Sequence, residues 1–300
     1  MVCFLYIMVV SLYYRSTVED KIRKCGSNIL LVHTHIPKTG GTTISNVLIS
    51  CAAQYGKKLA YGHIDNFLNM SIKEQNNIAA VEAHMGFGIE KQPNFPVHRK
   101  DCVIYLVIMR PYIDIMWSAM GHIYADKKIE FPTKVKSFTQ FNNPWNFQGA
   151  ISYQLCCFSD SQHPDDSVYS KGHLVKQLSS SQNNFHIDED CPKTIEEAST
   201  CAIKRLCEDY DIIGTTDKLS ELIKELVNIM QCKGTHIKNV HDNIHSLSMR
   251  NDTFKRLTTY LKEDGSSFDA AVLKFGMMLS EGDKRGCEKS PRSVLQMHMK

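Results

Sequence analysis

Six consecutive residues, Lys38-Thr39-Gly40-Gly41-Thr42-Thr43, combine one cation, three hydroxyls and a glycine pair. That set suits the binding of a phosphate-like anion. The run follows the apolar segment Ile29-Leu30-Leu31-Val32 and precedes a helix-like segment, Ile44 to Cys51. A strand, a tight turn and a helix start present backbone N–H groups at the end where the helix dipole favours negative charge. Gly40 and Gly41 let the backbone come close to a ligand. Lys38 adds a mobile cation and the threonines add donors. The loop is not a Walker A motif, which needs its Lys after the last Gly, and no G-x-G-x-x-G fingerprint is present. The plain alternative is a helix entry with Thr42 or Thr43 as N-cap.

A second group lies further along. Cys102 to Met109 is a continuous apolar run, as expected of a strand buried on both faces of a parallel sheet. Arg110-Pro111 ends it, and Tyr112 to Tyr124 reads as a helix with Ile115, Met116 and Ala119 on its apolar side. Arg110 thus falls at a strand end, where open α/β sheets bind ligands. A guanidinium there can grip a phosphate with two parallel hydrogen bonds, and Ser118, eight residues on, adds a hydroxyl. Taken singly, the two are an ordinary surface Arg and helix Ser. Of the thirteen histidines, His84 in Glu82-Ala83-His84-Met85-Gly86-Phe87 lies between the two groups and is the candidate general base. A structural histidine is the alternative there, and His63 is the rival base. His33 and His35 flank the strand before the loop and are expected to pack against or support it.

The combination of His35 to Thr43, Arg110 with Ser118, and the His84 segment resembles the Golgi carbohydrate O-sulfotransferases. Close variants occur in galactose 3-O-sulfotransferases and heparan sulfate 2-O-sulfotransferases. Galactose 3-O-sulfotransferases carry a His-Met-Arg-Phe-like element and uronyl 2-O-sulfotransferases a His-rich one where His84 stands. The resemblance implies an α/β fold, a P-loop-like three-layer domain with a central parallel sheet of the sulfotransferase type. It implies 3′-phosphoadenosine 5′-phosphosulfate (PAPS) as co-substrate, with no metal. Lys38, Thr39, Gly40, Gly41, Thr42 and Thr43 would hold the 5′-phosphosulfate, and Arg110 and Ser118 the 3′-phosphate. His84 would deprotonate an acceptor hydroxyl, with Lys38 stabilising the leaving phosphate. The acceptor would be a glycan on lipid, protein or glycosaminoglycan, not a nucleic acid. The galactose 3-O loop usually reads His-Lys-Thr-Gly/Ala-Ser-Ser-Thr, and the uronyl 2-O loop lacks the Gly-Gly pair, so the acceptor sugar stays open. Two other readings remain: an inactive relative that binds a glycan or partner, and a nucleotide-kinase-like enzyme. The latter would need a Walker-type Lys and a metal carboxylate, and neither arrangement is found.

The elements that must position these residues fit one α/β domain. Its expected extent is residues 28–280, after a stem at 16–27 and before a polar tail at 281–300. Ser71-x-x-Glu74 and Thr194-x-x-Glu197 read as capping boxes. Tyr210 to Gly214 reads as a short strand, and Leu219, Leu222, Ile223, Leu226, Val227 and Met230 form one side of a following helix. Residues 131–193 read as acceptor loops, with a helix around Trp145 to Phe158. Asn251 to Leu279 reads as helical with a break near Gly265. Lys91, Arg99, Lys100, Lys127, Lys128, Lys134 and Lys136 flank the two groups as solvated charges or as the lining of an acceptor cleft. A net charge of +3 gives no argument for nucleic acid.

The compartment is read from three features. Residues 1–14 are mostly apolar, either a cleaved signal or a short anchor, shorter than a comfortable membrane span. The resemblance favours a membrane anchor with a lumenal Golgi domain, although the basic residues after it, from Arg15 to Lys24, favour the opposite orientation. Eleven cysteines, ten if Cys3 lies in the anchor, suit disulfides in an oxidising lumen, with Cys191, Cys201 and Cys207 as members of some bridge. The sequons at Asn69 and Asn251 fit the same compartment.

Overall fold

The structure is a computed structural model. It describes residues 18–62, 67–83, 87–92, 94–116, 118, 150–156, 192, 194–233 and 267–299. These form a five-stranded, all-parallel sheet: β1 (Leu30–Thr34), β2 (Lys58–Gly62), β3 (Ile78–Ala83), β4 (Val103–Met109) and β5 (Ile212–Thr215). The spatial order is β2-β3-β1-β4-β5, so β1 is central. β1 and β4 are buried along their whole length, which explains the continuous apolar run of β4 and the apolar first half of β1, whose His33 and Thr34 are buried polar residues.

Helices cover both faces, giving a three-layer α/β domain. In chain order they are α1 (18–25), α2 (Gly41–Gln54), α3 (Ile72–Asn76), α4 (112–116), α5 (Ala150–Cys156), α6 (Ile195–Glu208), α7 (Leu219–Ile229), α8 (Ser267–Ser280) and α9 (Pro291–His298). The period-2 alternation of the strands sorts the core into two layers. Leu31, Ala80, Ile104, Leu106 and Ile108 meet Ile44, Val47, Leu48, Leu222 and Leu226 of α2 and α7. Leu30, Val32, Val81, Val103, Val107 and Met109 meet Ile151, Leu155, Ile203, Leu206, Val272 and Phe275 of α5, α6 and α8. Both expected capping boxes form, with Ser71 opening α3 and Thr194 opening α6.

Three expectations fail. The segment 281–300, read as a loose tail, carries α9, whose Val294 and Leu295 are buried in the main core. Cys287 is bonded to Cys207 of α6. The mostly charged stretch Glu281 to Lys289 masks the short helix behind it, whose Ser290-Pro291 start leads to apolar Val294 and Leu295, which find their partner surface on α6 and α8. The stem is also part of the domain. Lys21 Nζ donates to Asp211 Oδ1 at 2.7 Å, and Cys25 is bonded to Cys102. Finally, Arg99 lines no cleft. It is 1% exposed, and its guanidinium donates to the carbonyls of Asn28, Ile29, Gln75 and Ile78 at 2.7–3.0 Å. It ties together the segments leading into β1 and β3.

Two further disulfides, Cys51–Cys232 and Cys156–Cys201, bring to four the bridges among the described residues. Cys201 and Cys207 therefore pair with distant partners, and Cys191 lies outside the described residues. So do residues 1–14, Asn251 and most of 131–193. Asn69 is exposed. Among the described residues no helix is long and apolar enough to cross a membrane.

Candidate functional site

The strand order places the site. From the carboxyl end of β1 the chain runs outward to β2, and from that of β4 it runs to β5 on the opposite side. Connections that diverge from adjacent strands open a crevice at their carboxyl ends. The loop 35–40 follows β1 there, and Arg110 follows β4.

The loop is compact. Lys38 (φ 64°) and Gly40 (φ 90°) both take the left-handed conformation, which folds the chain back before α2. The hydroxyl of the buried Thr39 donates to Ile36 O at 2.6 Å and closes the turn. Gly40 is the N-cap, not Thr42 or Thr43, and no side chain caps the helix. The amides of Thr43 and Ile44 donate to Gly40 O at 3.0 and 3.2 Å. The Gly41 and Thr42 amides are the helix-start donors that remain for a ligand. Gly41 is required for a steric reason: a Cβ there would stand 2.0 Å from His35 Nε2. Gly40 faces Leu219 of α7, whose Cδ2 lies 3.3 Å from an ideal Cβ.

Arg110 reaches this loop. Its Nη1 donates to Lys38 O at 2.8 Å, across 72 residues of sequence. The bond presses the strand-end guanidinium against the loop and leaves its other N–H groups for a second acceptor. Gln154 of α5 donates to His35 O at 2.7 Å from another side.

Beneath the loop lies a buried polar cluster. Parallel pairing of β1 with β3 sets His33 beside Glu82. Glu82 is 1% exposed, with His33 Nδ1 at 3.4 Å and His35 Nδ1 at 3.1 Å from its two oxygens. The Ser45 hydroxyl of α2 also bonds Glu82. The two imidazoles stack with centroids 5.5 Å apart. Burial pushes the Glu82 carboxyl up, but the imidazoles outweigh it and hold the group down to about 2. Burial lowers the pKa of His33, against the pull of Glu82, so this imidazole is neutral at neutral pH.

The residues expected at the site divide as follows. Lys38, Thr39, Gly40, Gly41, Thr42, Thr43 and Arg110 come together at one sheet edge. Thr42 is exposed, whereas Thr43 is 5% exposed and Thr39 is occupied within the turn. Ser118 is half-buried, just beyond α4. His84 and His63 lie outside the described residues. β3 ends at Ala83, beside Thr34 of β1. His33 and His35 do support the loop, as expected. Glu82, Ser45 and Gln154 were missed. For Glu82 the signal was available: one acid in the apolar run of β3. No protein-family model, curated protein or solved structure matches the chain. Among the described residues no group of His, Cys, Asp and Glu has metal-binding geometry.

Proposed function

We propose that the chain is a carbohydrate O-sulfotransferase that uses PAPS. The observation that carries this reading is the bond from Arg110 to the Lys38 carbonyl. It joins the two groups expected to bind the anion at the carboxyl ends of β1 and β4. In this reading the loop amides and Lys38 hold the 5′-phosphosulfate, and Arg110 and Ser118 hold the 3′-phosphate. An acceptor sugar hydroxyl attacks sulfur in line. The new O–S bond forms as the S–O bond to the 5′-phosphate breaks, and His84 takes the hydroxyl proton. Lys38 stabilises the charge gathering on the leaving phosphate oxygen. The product nucleotide is 3′,5′-adenosine bisphosphate. The disulfides fit an oxidising lumen, consistent with a Golgi setting for the reaction.

Calorimetry with 3′,5′-adenosine bisphosphate in the presence of a chelator tests the donor half. Binding is expected without metal, and about tenfold or more weaker in Arg110→Ala, the scale of one lost charge-assisted bond. No binding by the parent protein sinks the reading. A labelled-sulfate transfer screen over galactosides, glycolipids, heparan and chondroitin then finds the acceptor. Binding with no transfer to any of them would mark a ligand-binding relative instead. His84→Ala should keep nucleotide binding and lose roughly 10²-fold or more in transfer rate, the usual weight of a general base.

A further inference from the structure

We infer that Glu82 is a positioning residue for the anion loop, acting on Gly41 by two separate routes. This deepens the donor-site reading and rests on it. One route is the His35 ring. Its Nδ1 stands 3.1 Å from Glu82 Oε1, while its Nε2 edge lies where a side chain on Gly41 would begin. The other is Ser45. Its hydroxyl meets both the Glu82 carboxylate and Gly41 O, the latter at 2.9 Å. Gly41 is the first residue of α2, and its amide is one of the donors left for a ligand. A carboxylate held in β3 thus sets the ring and the hydroxyl between which the first turn of α2 sits.

The chemistry follows from what a carboxylate tolerates. An ionised Glu accepts and never donates. A bare imidazole nitrogen facing it at 3.1 Å would set lone pair against lone pair. His35 must therefore carry its proton on Nδ1, the form a neighbouring acceptor selects. The contact is short but not well aligned, and Glu82 Oε1 has no better partner. A helix start that moves by even an ångström misplaces its donors, and such shifts cost up to about a hundredfold in the function they support.

Glu82→Gln is the test. It keeps the size of the side chain but replaces one acceptor oxygen by an NH₂ donor. Nitrogen-resolved NMR of His35 in the full chain at neutral pH reads the tautomer directly. The parent protein is expected to show the Nδ1-protonated ring, and the variant to lose that preference. Calorimetry with 3′,5′-adenosine bisphosphate should show binding about tenfold weaker in the variant, with partial recovery in Glu82→Asp. A parent His35 protonated only on Nε2 overturns the proposal, whether or not any variant folds. Unchanged affinity in a folded Glu82→Gln protein also overturns it. Failure of the parent to bind the bisphosphate is a different result. It removes the donor-site reading, and the His35 tautomer then decides the role of Glu82 by itself.

Discussion

Gly40 and Gly41 are adjacent and look interchangeable, yet the structure gives them different reasons to exist. Gly40 supplies a left-handed φ of 90°, which costs an L residue about 1–2 kcal/mol. Gly41 makes room for the His35 ring, and a Cβ there would overlap Nε2 at 2.0 Å. Both Gly40→Ala and Gly41→Ala should therefore destabilise, the second by roughly 1–3 kcal/mol through overpacking. Only the second should be relieved by a partner change. In a His35→Ala background the overlap is gone, so Gly41→Ala should become nearly neutral while Gly40→Ala keeps its cost. Urea unfolding of the double-mutant cycle measures this, with an expected coupling of about 1–2 kcal/mol. Strictly additive effects would remove the steric explanation. Arg99 gives a second prediction at this scale. Burial lowers the pKa of its guanidinium to about 10, so it stays charged at neutral pH while serving four carbonyls. Arg99→Met strips those acceptors of their donor and should lower stability by roughly 3 kcal/mol or more, read from the urea midpoint. The shared carbonyls explain why sequence reading put Arg99 on the surface. A charge in a basic stretch looks solvated until the chain ends that surround it are known.

At the scale of elements, the C-terminal segment departs furthest from expectation. Val294 and Leu295 of α9 are each 1% exposed, and burying two such side chains is worth about 1.5–3 kcal/mol apiece. The Cys207–Cys287 bridge adds about 2–4 kcal/mol. A chain ending after Gly286 loses both contributions, so its unfolding free energy should fall by several kcal/mol, and the exposed α8 surface should become protease-sensitive. A loose tail could be removed with no change in melting temperature, and that outcome would falsify the packing described. The β1–loop–α2 and β4–Arg110–α4 units were legible because each carries its own signal: an apolar run, a Gly or Pro break, then helical spacing. The α9 helix carries only a start signal, Ser290-Pro291, and α1 only Val18, Ile22 and Cys25 at helical spacing, so what secures both is partners distant in the chain. The same contrast holds at the site. The loop and Arg110 are local patterns, whereas the His33–Glu82 pair exists only because β1 lies beside β3, a neighbourhood no local pattern encodes.

For the whole molecule, that pair makes stability depend on pH. His33 is wholly buried and its pKa is lowered from 6.5, chiefly by burial. Between its folded pKa and 6.5 the unfolded chain binds a proton that the folded chain refuses. The folded state therefore loses stability as pH falls below 6.5, by at most about 1.4 kcal/mol per pH unit for one such group. Glu82 acts with the same sign in a lower window. Its folded pKa near 2 lies below the ordinary 4.5, so its contribution is complete above 4.5 and fades as pH drops towards 2. The half-buried His298, also lowered mainly by burial, adds a smaller slope in the histidine window. Chemical denaturation at pH 7.5, 6.5 and 5.5 should accordingly show a flat upper limb and a falling lower one. His33→Gln removes its contribution to the fall near pH 6 while keeping a polar group beside Glu82. Its lower limb should be shallower than that of the parent protein by up to the slope of one proton. Parallel curves would mean that His33 takes up its proton in the folded state as readily as in the unfolded one. The layer between β3 and α2 would then have to admit water, and the buried cluster could not hold the loop before α2 in place.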